Sequence, residues 1–196
     1  YLDLGSPAQK IKLYYVQCPQ CLKIIISGEE VKEFGGTIVI IGEHLFWPRT
    51  TTREPLPESV PEHIAQDYLE AALVLPFSPK ASAALSRRCL QSVLREAGKT
   101  KSKDLYDQIE EVLPTLPTNI SQNLDAVRVI GNFAAHPMKS TSTGEIIEVE
   151  PGEAEWNLDV IDSLFDYYFE RPEIERKKRE AINQKLQEAG KPPLKQ

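Results

Sequence analysis

The 196 residues are enough for one medium domain with an appendage, and for a core that folds without disulfide staples. With 41% hydrophobic and 27% charged residues the chain is neither disordered nor fibrous, and no run approaches the roughly 20 apolar residues of a membrane span. Net charge is −6 but uneven: residues 171–196 hold eight basic and four acidic side chains, leaving +4 there and −10 on residues 1–170, and so acidic a body lacks the footprint of non-specific nucleic-acid binding.

Residues 1–57 read as β. The chain opens on Tyr1 rather than Met, so a missing start is expected. "KIKLYYVQ" and "LKIIISG" flank "CPQC", and "GGTIVIIG" follows a Gly-Gly break; these are short β-branched and aromatic runs bounded by turn residues. "WPRTTTREPLPES" has three prolines and three threonines in 13 residues and reads as a linker. Residues 58–170 switch to helical period. Ser59, three residues before Glu62 and with Pro61 in the first turn, has capping-box spacing. In "SPKASAALSRRCLQSVLREAG", Ser78 is the expected N-cap, Pro79 the first helical residue and Gly98 the stop, with Leu85, Cys89, Leu90, Val93 and Leu94 forming an apolar stripe. "KDLYDQIEEVL" ends at Pro114, and "SQNLDAVRVIGNFAAH" runs to Pro137. "EAEWNLDVIDSLFDYYF" places Leu158, Ile161, Phe165 and Tyr168 on one face. Four or five such helices with short connections predict an antiparallel bundle. "MKSTSTGEIIEVEPG" is long for a bundle connection, a length associated with function or mobility. Residues 171–196 form a charged helical tail with a weak apolar side of Ile174, Ile182 and Leu186.

Three cysteines, two of them close together, do not make a disulfide framework, and a reducing, cytoplasmic setting is the default expectation. Cys18 and Cys21, between two strands, have the spacing of a zinc knuckle, in which two thiolates on a tight turn share one tetrahedral ion. Structural zinc needs four ligands, and this chain offers no second Cys pair. A site completed upstream of Tyr1, an inert remnant, a redox pair, and completion by His44 or His63 all stay open. Cys89, on an apolar helix face, reads as core filler.

At about 100° per residue, Arg128, Asn132 and His136 step round one helix by about 40° each, and Asp125 falls among them. An acid, a guanidinium, an amide and an imidazole thus share one stripe, while Leu124, Val127, Gly131 and Ala134 adjoin it and can pack inward. Gly131 costs a helix about 1 kcal/mol relative to Ala, which fits a close approach by another helix or a ligand. The bland reading stands beside the functional one: Arg and Asp one turn apart are a common surface pair, and Asn and His near a helix end can satisfy its free carbonyls.

The segments "SPKASAALSRRCLQSVLREAG", "KDLYDQIEEV", "LDAVRVIGNFAAHP" and "EAEWNLDVIDSLFDYYFE", in this order, resemble the prokaryotic domain-of-unknown-function family numbered 4145. The resemblance implies a mainly α fold, an antiparallel bundle like those of the higher eukaryotes and prokaryotes nucleotide-binding (HEPN) superfamily, with a small N-terminal zinc-ribbon-like β segment. It implies zinc held by Cys18 and Cys21 with ligands missing from this chain. It further implies homodimerisation, an RNA or nucleotide ligand, and an effector protein of a defence or RNA-processing system as partner.

Many relatives in that superfamily are metal-independent ribonucleases. A guanidinium there neutralises a phosphate, and an imidazole moves a proton at the ribose 2′-oxygen or the leaving oxygen. Carried over, His136 would be the acid/base, Arg128 the phosphate anchor and Asn132 their companion. Arg87, Arg88 and Asp125 would line the binding surface. Gly131, however, stands where the ribonucleases place Arg, and seven residues separate Arg128 from His136. The expected function is therefore a binding or sensing module, with an endoribonuclease and a purely structural dimerisation module as alternatives.

Overall fold

A computed structural model of the chain describes residues 2–3, 9–135 and 149–195, with side chains for 10–128 and 149–195. The chain divides into two compact units, Tyr1–Thr52 and Arg53–Gln196. His136 and most of the long connection after it lie outside the described residues.

The first unit is an antiparallel sheet in the order β1 (Leu2–Asp3), β2 (Gln9–Gln17), β3 (Ile24–Phe34), β4 (Thr37–Trp47). The β-branched runs form the three long strands as their composition requires. Gly35 and Gly36, at φ +55° and +83°, close the β3–β4 hairpin between the paired Phe34 and Thr37. Two successive positive-φ residues make a turn whose twist matches that of the flanking strands, a place where side chains are strained. Val31 is the one large apolar side chain of this unit buried among the described residues.

The second unit is helical: α1 (Glu62–Val74), α2 (Pro79–Glu96), α3 (Leu105–Val112), a 3₁₀ turn (Leu113–Thr115), α4 (Thr118–Ala135), α5 (Pro151–Phe165), a π turn (Asp166–Glu170) and α6 (Arg171–Glu188). None of the described helices is long and apolar enough to cross a membrane. Ser78 caps α2 as expected, its Oγ accepting from the Ala81 N–H at 3.2 Å, with Pro79 following. Ser59 does not cap α1. The helix opens at Pro61, whose carbonyl accepts from Ile64 and Ala65 at 3.0 and 2.9 Å. Proline disfavours helical geometry in the residue before it, and here Val60 stays outside the helix while Pro61, itself extended at ψ 138°, takes the cap position. In α5 the cap comes earlier than the apolar pattern indicates, with Glu150 and Glu153 bonding reciprocally to each other's backbone N–H.

The core lies along α2, which packs against α1, α3, α4 and α5. Ile64 and Tyr68 of α1 meet Cys89, Leu90, Val93 and Leu94 of α2, Ile109 of α3, Leu124 of α4, and Leu158, Ile161, Leu164 and Phe165 of α5. Burial of each large apolar side chain contributes about 1.5–3 kcal/mol. The buried Leu124 and Val127 make the inward face of α4, as the helical phase predicts. A proline inside a helix crowds the carbonyl four residues back. Just ahead of Pro172 the chain widens into the π turn, which Arg171 bridges to Asp166 at 2.8 Å, and it continues as α6 without a break. No α6 side chain is buried.

Candidate functional site

The polar stripe sits on α4. Arg128 is the member whose geometry can be read in full. Its Nη1 donates to Glu110 Oε1 of α3 at 2.7 Å, and its Nη2 lies 2.9 Å from Asp125 Oδ1, one turn back. The guanidinium carbon lies 4.7 Å from the centre of the Tyr106 ring, a cation–π distance. With only 23% of the side chain exposed, this one cation faces two carboxylates and the cluster carries net negative charge. Arg128 Nε is buried with no acceptor among the described residues. The backbone of Asn132 continues α4, whereas its side chain and His136 lie outside the described residues.

The two arginines of α2 differ. Arg88 forks onto Asp67 of α1, with Nε donating to Oδ2 at 3.0 Å and Nη2 donating to Oδ1, and it also lies 3.5 Å from Glu70. Those carboxylates, Asp67 foremost, raise its pKa. Arg87, half-buried, has no hydrogen bond or ion pair among the described residues. It is the arginine of the predicted set with its donors uncommitted there.

Helix directions bring further polar atoms to the half of the bundle that holds the end of α4. Ala83, Val149 and Ala154 share a small cluster, so α2 and α5 start side by side. Tyr167 Oη donates to the Thr115 carbonyl at 3.4 Å, so α4 starts beside the end of α5 and runs back along it. In that shared half Ser82 and Ser86, one turn apart on α2, and Asn157 on α5 are at most 2% exposed. Their Oγ and Oδ1 atoms have no hydrogen-bond partner among the described residues. A buried polar atom left unmatched costs about 1–3 kcal/mol.

Cys18 and Cys21 lie on the turn between β2 and β3. The Cys18 N–H donates to the Lys23 carbonyl and the Leu22 N–H to the Cys18 carbonyl, both at 2.9 Å, with Leu22 at φ +57°. The backbone N–H groups of Cys21 and Gln20, and then the Cys21 side chain, hold the Cys18 thiol below its ordinary pKa. Two backbone donors on a tight turn thus favour the ionised form of this sulfur. The histidines are engaged elsewhere: His44 lies 3.6 Å from Glu30 and stacks on Phe46, and His63 bonds Glu96 at 2.6 Å. Among the described residues no group of three or more His, Cys, Asp or Glu is arranged around a common metal position. Cys89 is core filler, fully buried with its thiol 3.6 Å from the Ile64 carbonyl.

One polar cluster escaped the sequence reading. Arg53, placed there in a linker, donates from Nε to Tyr68 Oη and from Nη2 to Asp162 Oδ2, each at 2.6 Å, and also bonds Asp159. Burial opposes the Arg53 charge, but the two aspartates outweigh it and raise its pKa. Burial, then Asp162, likewise pushes the Tyr68 phenol up. The Asp159–Asp162 spacing on α5 was visible, but no local signal joins it to an arginine more than a hundred residues earlier.

A family model described as "Domain of unknown function (DUF4145)" matches residues 69–189, from the second half of α1 to the end of α6. No curated protein and no solved structure matches the chain.

Proposed function

The chain belongs to the DUF4145 family of domains of unknown function, and on that premise we propose that it is a HEPN-like, non-cleaving module that binds RNA or a nucleotide. It would serve as an accessory or sensing part of a prokaryotic defence or RNA-processing system, alongside a second copy and an effector protein. The observation that carries this reading is the state of Arg128. A phosphate anchor needs an uncommitted positive charge, whereas Arg128 is bonded to Glu110 and Asp125. Arg87, with its donors uncommitted among the described residues, supports a role for α2 in contacting an anionic ligand.

Fluorescence anisotropy with labelled RNAs and nucleotides, run beside a gel assay on the same RNAs, tests the proposal. The expected result is binding with the RNA intact. Arg87→Ala and His136→Ala should each weaken affinity about tenfold, or about 1.4 kcal/mol, at unchanged thermal stability. Cleavage abolished by His136→Ala and Arg128→Ala would replace this reading with the endoribonuclease. Absence of any ligand, with stability lost in the alanine variants, would leave a structural module.

Cys18 and Cys21 complete the proposal as half of a structural zinc site. Its support is the pair of backbone donors on the Cys18 thiol. Metal analysis of a chain extended upstream of Tyr1 should find one zinc ion that Cys18→Ser releases. An extended chain free of zinc rejects the site.

A further inference from the structure

Positive charge collects on α6. The helix grows from the π turn, packs against no other described helix of its unit and has no buried side chain. At about 100° per residue its charges sort by face. Glu173, Glu180 and Glu188 lie on one half with Arg176 and Lys177. There Arg176 pairs with Glu173 at 2.7 Å and with Glu180, and Lys177 lies 3.4 Å from Glu173. The other half holds Arg171, Lys178, Arg179 and Lys185 against one acid, Glu175. Lys178 and Lys185 are exposed, with no hydrogen bond or ion pair among the described residues. The residues after α6 reinforce this half. Gly190, at φ +68°, turns the chain, and the Lys191 N–H donates to the Leu186 carbonyl at 2.8 Å. The chain then returns along the helix: the Leu194 N–H donates to Asn183 Oδ1 at 2.8 Å, and Arg179 Nη2 donates to the Lys195 carbonyl at 2.6 Å. This hook carries two lysines and no acid back to the flank of Arg179.

We infer that the basic half of α6 docks the phosphate backbone of a nucleic-acid strand, without regard to base sequence. An exposed cationic helix suits a membrane surface, a partner helix or a polyanion, and the order of residues separates the three. A helix lying in a membrane surface gathers aromatic and large apolar side chains opposite its cations. Here Ile174 and Ile182 stand among the cations, and no aromatic residue occurs from Arg171 to Lys195. A partner helix requires an apolar seam that repeats every seven residues, whereas no line of α6 residues seven apart is apolar throughout. A polyanion requires only a row of cations. Arg171, Lys178 and Lys185 fall within about 40° of one another at intervals of about 10 Å along the shaft, and a lysine meets a phosphate as a point charge. Arg171 is tied to Asp166, which leaves Lys178 and Lys185 as the two uncommitted charges of that row. The −10 carried by residues 1–170 repels such a strand elsewhere and so favours the arm as its point of attachment. This contact is separate from the α2 and α4 residues named above and stands without them.

Fluorescence anisotropy of the full chain with short labelled single strands, RNA and DNA of the same sequence, at several salt concentrations tests the inference. Wild type should bind, with a Kd that rises steeply with salt, and any difference between the two strands identifies the sugar that is preferred. The double variant Lys178→Gln, Lys185→Gln should bind about tenfold more weakly at low salt. Its slope of log Kd against log salt should fall by about 1.4, at about 0.7 for each phosphate contact on a single strand. Lys177→Gln, on the other half and paired with Glu173, should shift Kd by no more than about twofold, as befits an exposed pair. Circular dichroism should be the same for all three chains. The inference is overturned by a wild type that binds neither strand at low salt, or by a double variant that binds as wild type does. Capture of the chain by phosphatidylglycerol vesicles and by neither strand overturns it too. Weakening by the lysine changes with Arg87→Ala silent would support the arm and reject the α2 contact; the reverse pattern would reject the arm alone.

Discussion

Cys89 and Glu173 show how far a single group's surroundings set its behaviour. Burial first, then the charges of Asp67 and Asp162, push the Cys89 thiol up to about 12 from an ordinary 9.0. The neutral thiol therefore persists in the folded protein through ordinary alkaline conditions. Its folded pKa exceeds the unfolded one, so the associated stability is complete below pH 9 and declines as pH rises towards 12. A thiol reagent at pH 8 should label Cys18 and Cys21 promptly and Cys89 only after denaturant is added, which mass spectrometry of the labelled chain would check. Glu173 shifts the other way. Arg176, then Lys177, lowers its carboxyl to about 2 from 4.5, so the contribution of this pairing to α6 is present above pH 4.5 and lost as pH falls towards 2. A carboxyl carbon titration by NMR should find that low midpoint, and Arg176→Gln should return it to the ordinary range.

At the scale of an element, the end of α2 separates two roles that one glycine is usually assumed to combine. Gly98 was legible as the stop, yet it is Lys99 that adopts the left-handed conformation, at φ +57°. Gly98 is required for a different reason: a Cβ there would sit 2.7 Å from the Leu94 carbonyl oxygen. That oxygen also accepts from Thr100 N at 3.2 Å and Thr100 Oγ1 at 3.1 Å, so it cannot easily move aside. Gly98→Ala should destabilise the helical unit by about 1–3 kcal/mol, the range for overpacking, seen as an earlier midpoint in urea. The elements that were legible, such as α2 with Ser78 and Pro79, carry their signals within a few residues. Ser59 misled because the bias of Pro61 against a helical Val60 outweighed a matching capping spacing, and Pro61 itself became the cap. Arg128 was legible as a polar residue on the right face, but its commitment to Glu110 depends on how α3 folds against α4, which no spacing within α4 encodes.

Over the whole molecule, apolar residues follow two different rules. In the helical unit they are packed against one another: Leu158 is fully buried, and Leu158→Ala should cost that unit about 2–5 kcal/mol in chemical denaturation. In the sheet the same residue types stay in water, which strand periodicity alone did not announce, since it locates strands and not the neighbours that cover them. Arg53 shows the same limit, as a residue of a Pro-rich linker that closes onto α1 and α5. The π turn at Asp166–Glu170 has a mechanical consequence of its own. Because α5 runs through it into α6 uninterrupted, the eighteen residues of α6 form a stiff arm of about 27 Å whose azimuth is geared to the bundle. The π turn holds one residue more than an ordinary helical turn. Removing one residue there would therefore restore α pitch and leave Ile174 and Ile182 close to their present azimuth, whereas removing one from the shaft between them would swing Ile182 round by about 100°. Whatever grips that arm would meet a different flank only in the second case, while the bundle beneath stayed as it was.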